Sequence, residues 1–211
     1  MPTDDAADVA RHAYGRDAAQ YDARTARYDS YRHRAIDVLG LCPGDVVVDV
    51  GCGTGLCFEA LIERIGPSGT VVGVEPAAAM RALATERVEA RGWPNVVLIG
   101  STVESADLPT VDRALFSAVH DVLQSVPALD HVLAHVRDGG GVAATGGKWA
   151  PPWAVALNAG VMALHAPFVG NFTGFQRPWA LLAERVPGLT VEEVALGGGY
   201  VAWGRVHHER A

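Results

Sequence analysis

The chain has 211 residues, 49% of them hydrophobic and 19% charged, with a formal net charge of −7. That length suits one α/β domain with a sizeable core. The acidic balance argues against a nucleic-acid backbone as the main partner, which would require clustered cations; the single lysine, Lys148, and the arginines are scattered along the chain.

Residues 5–40 read as polar and helical, an N-terminal cap over residues 1–40 of a single 1–211 domain. Tyr14, Tyr21, Tyr28 and Tyr31 recur at intervals that place them near one helical face. Pro43-Gly44-Asp45 is a turn, and Val46–Val50, four valines interrupted by Asp49, reads as a buried strand. A glycine turn and a helix over 54–65 follow, stopped by Gly66-Pro67-Ser68-Gly69. Residues 70–75 form a second strand ending in an acid, and Pro76 opens a helix reaching about Arg91. Strands are expected at 95–99, 113–118 and 142–145, with a helix at 127–136 before the last of these. Strands that alternate with helices give a parallel sheet through right-handed crossovers. The tail differs: 189–195 and 200–206, joined through Gly197-Gly198-Gly199, read as a hairpin.

Between strand five and that hairpin lies a segment, 147–187, rich in Trp, Pro, Phe and Asn. Pro151-Pro152 predicts a helix from Trp153 to about Ala166, ended by Pro167. It is apolar nearly all round, so the expectation is burial against the core, a partner subunit or an apolar ligand. Its longest apolar run is shorter than the roughly 18–20 residues that span a bilayer. No charged-then-apolar leader is evident at Met1-Pro2-Thr3-Asp4-Asp5. Three cysteines, Cys42, Cys52 and Cys57, make an odd count that fits no zinc spacing. His131 and His135 stand four apart on the predicted 127–136 helix but lack the accompanying acid, so no metal site is expected. The expectation is a cytoplasmic protein without a membrane span.

The most informative stretch is Val46-Val47-Val48-Asp49-Val50-Gly51-Cys52-Gly53-Thr54-Gly55. Its glycines sit at 51, 53 and 55, with Leu at 56, so it is neither the dinucleotide pattern G-x-G-x-x-G nor a phosphate-binding loop. The run resembles motif I of the class I S-adenosylmethionine-dependent methyltransferases, V-L-D-x-G-C-G-T-G. Tyr21-Asp22 and Tyr28-Asp29 resemble the F-D-x-x-A-x-x-Y-D segment that covers the cofactor in the quinone and phospholipid methyltransferases of that class. An aromatic stripe packing on the sheet is the other reading of the same tyrosines. The motif resemblance covers residues 17–145.

It implies a doubly wound, Rossmann-like, mostly parallel seven-stranded sheet with an antiparallel last strand, and S-adenosyl-L-methionine as cofactor. It places Tyr28, Asp49, Gly51, Cys52, Gly53, Thr54, Gly55, Glu75, Pro76, Thr102, Val103 and Ser117 around that cofactor. Asp49 is expected to organise the glycine turn and meet the cofactor's ammonium group. Glu75, at an exposed strand end, would accept from the ribose hydroxyls, since charge-assisted bonds are the stronger ones. Thr102 stands where the family has an acid beside the adenine. His120 is the candidate general base, because its pKa is naturally near neutrality; a packing or capping histidine is the alternative.

For the acceptor, Trp149, Trp153, Asn158 and His165 are the candidate contacts, with Met162, Phe168, Phe172, Phe175 and Trp179 in the same segment. A small, hydrophobic or aromatic acceptor follows, its reacting N, O, S or C atom open, and so is a homodimer. A non-catalytic S-adenosylmethionine-binding protein and an NAD-dependent oxidoreductase are the other readings.

Overall fold

The computed structural model describes residues 22–23, 25–167 and 169–208. Tyr14, Tyr21 and Phe168 lie outside them.

Seven strands form one sheet: β1 (Val46–Val50), β2 (Thr70–Val74), β3 (Val96–Ile99), β4 (Val111–Ser117), β5 (Val136–Gly147), β6 (Thr190–Val194) and β7 (Gly199–Arg205). Their order is β3-β2-β1-β4-β5-β7-β6. The first five run parallel, and β7 runs antiparallel to both its neighbours.

The alternation of side chains along each strand explains why the valine runs are continuous. Val47, Val71, Leu115, Ala143 and Val201 face one layer, under α1 (Asp29–Val38) and α2 (Phe58–Ile65). Val48, Val72, Phe116, Ala144 and Ala202 face the other, under α5 (Val126–His135) and α7 (Ala180–Arg185). Both faces are covered, so the central strands are apolar along most of their length, with Asp49, Arg113 and Thr145 as buried polar residues on β1, β4 and β5. The same layering makes the fold doubly wound, as expected.

Three further helices position the site. α3 (Ala78–Arg91) follows β2 and ends at Gly92 in the left-handed region (φ 63, ψ 43), a common helix stop. α4 (His120–Leu123) is a single turn after β4, and α6 (Val155–His165) lies in the segment between β5 and β6.

Several boundaries differ from expectation. α2 begins at Phe58, not at residue 54. Gly55 takes φ 78, outside the right-handed helix, and the turns Gly55 N–H to Cys52 O and Phe58 N–H to Gly55 O occupy the intervening residues. β5 begins at Val136 rather than 142, because the glycine stretch 139–141 stays in the sheet through a register shift opposite Val111–Arg113. Pro151 to Ala154 closes a turn, so α6 starts at Val155, though it stops before Pro167 as expected.

The largest departure concerns the surroundings of α6. Only Val161 is buried on it; Val155 is 71% exposed, Met162 43%, and Trp153 just before it 82%. The exposed positions include Ala156, Ala159, Gly160 and Ala163, whose small side chains carry little apolar area. One stripe is enough to hold the helix: Val161 and Leu157 pack where Gly198 leaves room.

Candidate active site

The carboxyl ends of β1, β2 and β4 open onto a cavity of about 1180 Å3. This is the edge at which open α/β sheets bind ligands.

The glycine turn after β1 is shaped by close approach. Gly51 has φ 63, and a Cβ there would lie 2.5 Å from Val119 Cγ1. Gly55 has φ 78, and a Cβ would lie 2.6 Å from the Phe58 ring. Neither position accepts another residue without displacing its neighbour. Val119 is held there by an abrupt bend: Ala118, a non-glycine residue with φ 59, donates its N–H to Thr145 O at 2.8 Å.

Glu75, not Asp49, organises the turn. Glu75 Oε2 accepts from Gly53 N–H at 3.0 Å and Oε1 from Ala77 N–H at 2.8 Å. The residue is 8% exposed, against the expected exposed strand end, and burial pushes its pKa up against these two bonds. Each carboxylate oxygen retains acceptor capacity.

Asp49 is 1% exposed, and neither carboxylate oxygen has a hydrogen-bond partner among the described residues. Burial, reinforced by the Glu75 charge and opposed by Arg32, raises its pKa to about 7. A buried carboxylate left without a partner is costly. Asp49 lines the cavity, so a cationic group of a ligand could supply what the protein does not. The ammonium of S-adenosylmethionine fits that vacancy in the hydrogen-bonding pattern.

Tyr28, Gly51, Cys52, Gly53, Glu75 and Pro76 line the cavity beside Asp49. So do Thr102, Val103 and Ser117. Thr102 Oγ1 shares a hydrogen bond with Ser105 Oγ at 2.9 Å. Thr54 and Gly55 do not line it. Thr54 Oγ1 instead donates to Asp22 Oδ1 at 2.6 Å, and Arg87 bridges Asp22 and Thr54 O. The acidic residue of the N-terminal segment is thus tied to the glycine turn, while Tyr28 and Arg32 form cavity wall. Arg32, absent from the expected set, pairs with Asp29 at 2.6 Å and donates to Thr25 O.

His120 and His165 also line the cavity. His120 Nε2 lies 3.0 Å from Thr173 O. A carbonyl only accepts, so Nε2 carries the proton and Nδ1 keeps its lone pair. Nδ1 is buried and has no hydrogen-bond partner among the described residues. Burial lowers the His120 pKa, against Thr173 and Asp121. Burial, aided by His120, lowers that of His165 to about 4. Both rings pack edge-on against Phe175, at 5.0 and 5.5 Å.

Three expected acceptor contacts lie elsewhere. Trp153 points into solvent. Asn158 closes the loop before α6, its Oδ1 accepting from Ala150 N–H at 2.9 Å and its Nδ2 donating to Ala150 O and Pro151 O. Trp149 stacks on Phe172 at 5.2 Å, behind the cavity wall. Of the other aromatics of this segment, Trp179 packs in the core against Tyr200. Tyr200 is itself a cavity residue that sequence reasoning missed. Its only signal was its place at the start of the last strand.

His131 and His135 hydrogen-bond to the backbone carbonyls of Ala106 and His131, and no group of residues suited to a metal occurs among the described residues. No helix of the described residues is long and apolar enough to cross a membrane.

The sheet order, the antiparallel β7 and the glycine turn with its two acids define the class I S-adenosylmethionine-dependent methyltransferase fold. Residues 47–140 match the family model described as a methyltransferase domain. Among related sequences, the chain is 32% identical over 109 residues to a demethylmenaquinone methyltransferase of Bacillus cytotoxicus, covering 51% of this chain and 45% of that protein. It is 38% identical over 96 residues to the nocamycin O-methyltransferase of Saccharothrix syringae, covering 44% and 34%. The matches thus span about half the length of these relatives or less. Among solved structures, a SAM-dependent methyltransferase from Aquifex aeolicus superposes with a TM-score of 0.63 at 19% identity, covering 91% of this chain and 98% of that one. The geranyl diphosphate C-methyltransferase of Streptomyces coelicolor gives 0.64 at 17% identity, covering 92% and 84%.

Proposed function

We propose that the protein transfers a methyl group from S-adenosylmethionine to a small, hydrophobic or aromatic acceptor. The observation that carries this reading is Asp49, a buried carboxylate without a hydrogen-bond partner among the described residues, set beside a glycine turn in the wall of a large cavity. When bound, the cofactor supplies a sulfonium methyl group open to attack by a nucleophile.

The chain's residues then have distinct tasks. Asp49 pairs with the ammonium, Glu75 fixes the turn and accepts from ribose hydroxyls, and Thr102 with Val103 flanks the base. His120 Nδ1, the nitrogen left unprotonated by the Thr173 carbonyl, takes a proton from an acceptor that carries one. Its lone pair must come within hydrogen-bond reach of that proton. Alignment of the two reactants contributes up to about 7–11 kcal/mol in favourable cases. The net charge of −7 favours a small acceptor over a nucleic acid.

The nicotinamide oxidoreductase reading has less support, because the dinucleotide sheet order 3-2-1-4-5-6 has no inserted antiparallel strand. The test is calorimetry followed by transfer of labelled methyl groups to a mixed metabolite extract. S-adenosylhomocysteine should bind, NAD should not, and a small labelled product should appear. Saturable NAD binding without a response to S-adenosylhomocysteine would overturn the proposal. Binding without any labelled product would favour a non-catalytic S-adenosylmethionine-binding protein.

A further inference from the structure

The cavity is larger than one small ligand requires, since pockets for single drug-sized molecules run to roughly 300–1,000 Å3. Beyond the glycine turn, its wall changes character. Three side chains there have hydrogen-bonding atoms without partners among the described residues: His120 at Nδ1, His165 at both ring nitrogens, and Tyr200 at its hydroxyl. All three are neutral near pH 7, because burial holds the histidines down and pushes the Tyr200 phenol up.

The positions are built into the backbone. A Cβ on Gly147 would lie 2.1 Å from His165 Nε2, so the imidazole occupies a notch that only glycine leaves at the end of β5. The adjacent Gly146 stands opposite Tyr200 in the β5–β7 register, and a Cβ there would be 3.7 Å from the phenol oxygen. The Phe175 ring, 2% exposed, lies between His120 and His165.

Charged groups near this region are already committed or face water. Arg32 is paired with Asp29, Glu75 braces the glycine turn, Glu104 accepts from Ser125, Arg27 and Asp121 are exposed, and Asp49, the one uncommitted charge among these, is assigned to the cofactor's ammonium. A charged acceptor would lose its hydration there without a counter-charge. A carboxylate would in addition meet the His120 Nδ1 lone pair.

We propose that the acceptor is an uncharged aromatic compound bearing two or more oxygen functions, lying against Phe175 with its oxygens directed to His120, His165 and Tyr200. His165 and Tyr200 are the residues that select it. A hydroxyl complements this set because it donates once, to His120 Nδ1, and accepts from a Tyr200 O–H or a His165 N–H. This inference rests on the methyltransferase reading and narrows its acceptor.

The experiment measures binding of three probes to the full chain saturated with S-adenosylhomocysteine: naphthalene-2,6-diol, naphthalene-2,6-dicarboxylate and 2,6-bis(aminomethyl)naphthalene. The diol should bind at least tenfold more tightly than either charged probe. Tyr200→Phe, which keeps the ring against Trp179, and Gly147→Ala, which displaces His165, should each weaken the diol at least threefold. S-adenosylhomocysteine affinity should stay unchanged in both variants. A charged probe binding as tightly as the diol, no binding of any probe, or wild-type diol affinity in both variants would each overturn the acceptor assignment. Absence of S-adenosylhomocysteine binding in the wild type would instead overturn the cofactor reading, while selectivity among the probes on the free protein would still decide the acceptor class.

Discussion

Glu75 holds the amide of Gly53, 22 residues earlier, at 3.0 Å across the mouth of the sheet. The carboxylate at the end of β2 therefore fixes the shape of the turn at the end of β1, besides any contact with a ligand. Glu75→Ala should remove both functions. Two buried amides, of Gly53 and Ala77, lose their acceptor, and hydrogen bonds to charged groups contribute about 1.5–3 kcal/mol each. The variant should unfold at lower denaturant concentration and bind S-adenosylhomocysteine at least tenfold more weakly. Equilibrium denaturation and calorimetry check the two effects, and unchanged stability would mean that the turn holds itself.

This dual role shows where sequence reasoning stops. Val46–Val50 was legible because a strand covered on both faces is dominated by apolar residues, here four valines around Asp49. The glycine turn was legible because three glycines in five residues have few structural explanations. Which acid braces the turn was not legible, since a strand-end Glu and a strand-end Asp carry the same group. β5 was cut short at the sequence level because Gly139-Gly140-Gly141 looks like a turn, while the sheet absorbs it as an irregularity. The exposure of α6 was hidden because hydropathy counts alanines as apolar although their area is small. Tyr200 could not be assigned because a strand residue's proximity to a cavity depends on which strand it joins.

Asp49 should make the ligand-free protein less stable as pH rises. Its folded pKa of about 7 lies above the ordinary aspartate value of 3.8. The folded state therefore binds more protons than the unfolded state between these values, and stability falls as pH rises from about 4 to 7, then levels off. The rise corresponds to at most about 4 kcal/mol. Asp49→Asn should raise the melting temperature of the ligand-free protein at pH 8 and abolish S-adenosylhomocysteine binding. In the wild type near pH 6.5, binding of the ammonium should release protons, seen by calorimetry in buffers of different ionisation enthalpy. Zero proton release would show that Asp49 does not meet the cation.

His120 should set the acid limb of the rate profile. Its pKa lies below 6.5 because burial disfavours the charged ring. The base form therefore persists as pH falls from 8 to 6.5, and kcat should decline only below that. His120→Asn should lower kcat by about 10²–10⁴-fold with little change in cofactor affinity. Full activity with an unaltered profile would make the ring a prop for the Thr173 loop.

Asp22 should act as a fastening for the N-terminal segment. Its carboxylate joins Thr54 and Arg87, so Asp22→Ala frees the segment from the glycine turn. Faster dissociation of S-adenosylhomocysteine in stopped-flow measurements is expected, with global stability nearly intact because the pair is partly exposed. Equal dissociation rates would leave the contact without a role in binding.

Asn158→Ala should affect stability and not the acceptor. Its amide satisfies backbone groups of Ala150 and Pro151, and leaving such groups unpaired costs about 1–3 kcal/mol. A lower melting temperature with unchanged acceptor KM is expected. A raised KM at unchanged stability would return Asn158 to the pocket.

The position of β7 has a consequence for how the protein is made. It follows β6 in the sequence, yet it sits inside the sheet, with β5 on one side and β6 on the other. During synthesis β6 leaves the ribosome before β7 but has no strand to join until β7 follows. A nascent chain stopped before residue 199 could assemble the five parallel strands, and with them the glycine turn, but would expose the edge of β5 and lack Tyr200. Exposed strand edges of this kind invite pairing with other chains. The strands around the glycine turn thus come together early, and Tyr200 joins the cavity wall only once β7 has inserted between β5 and β6.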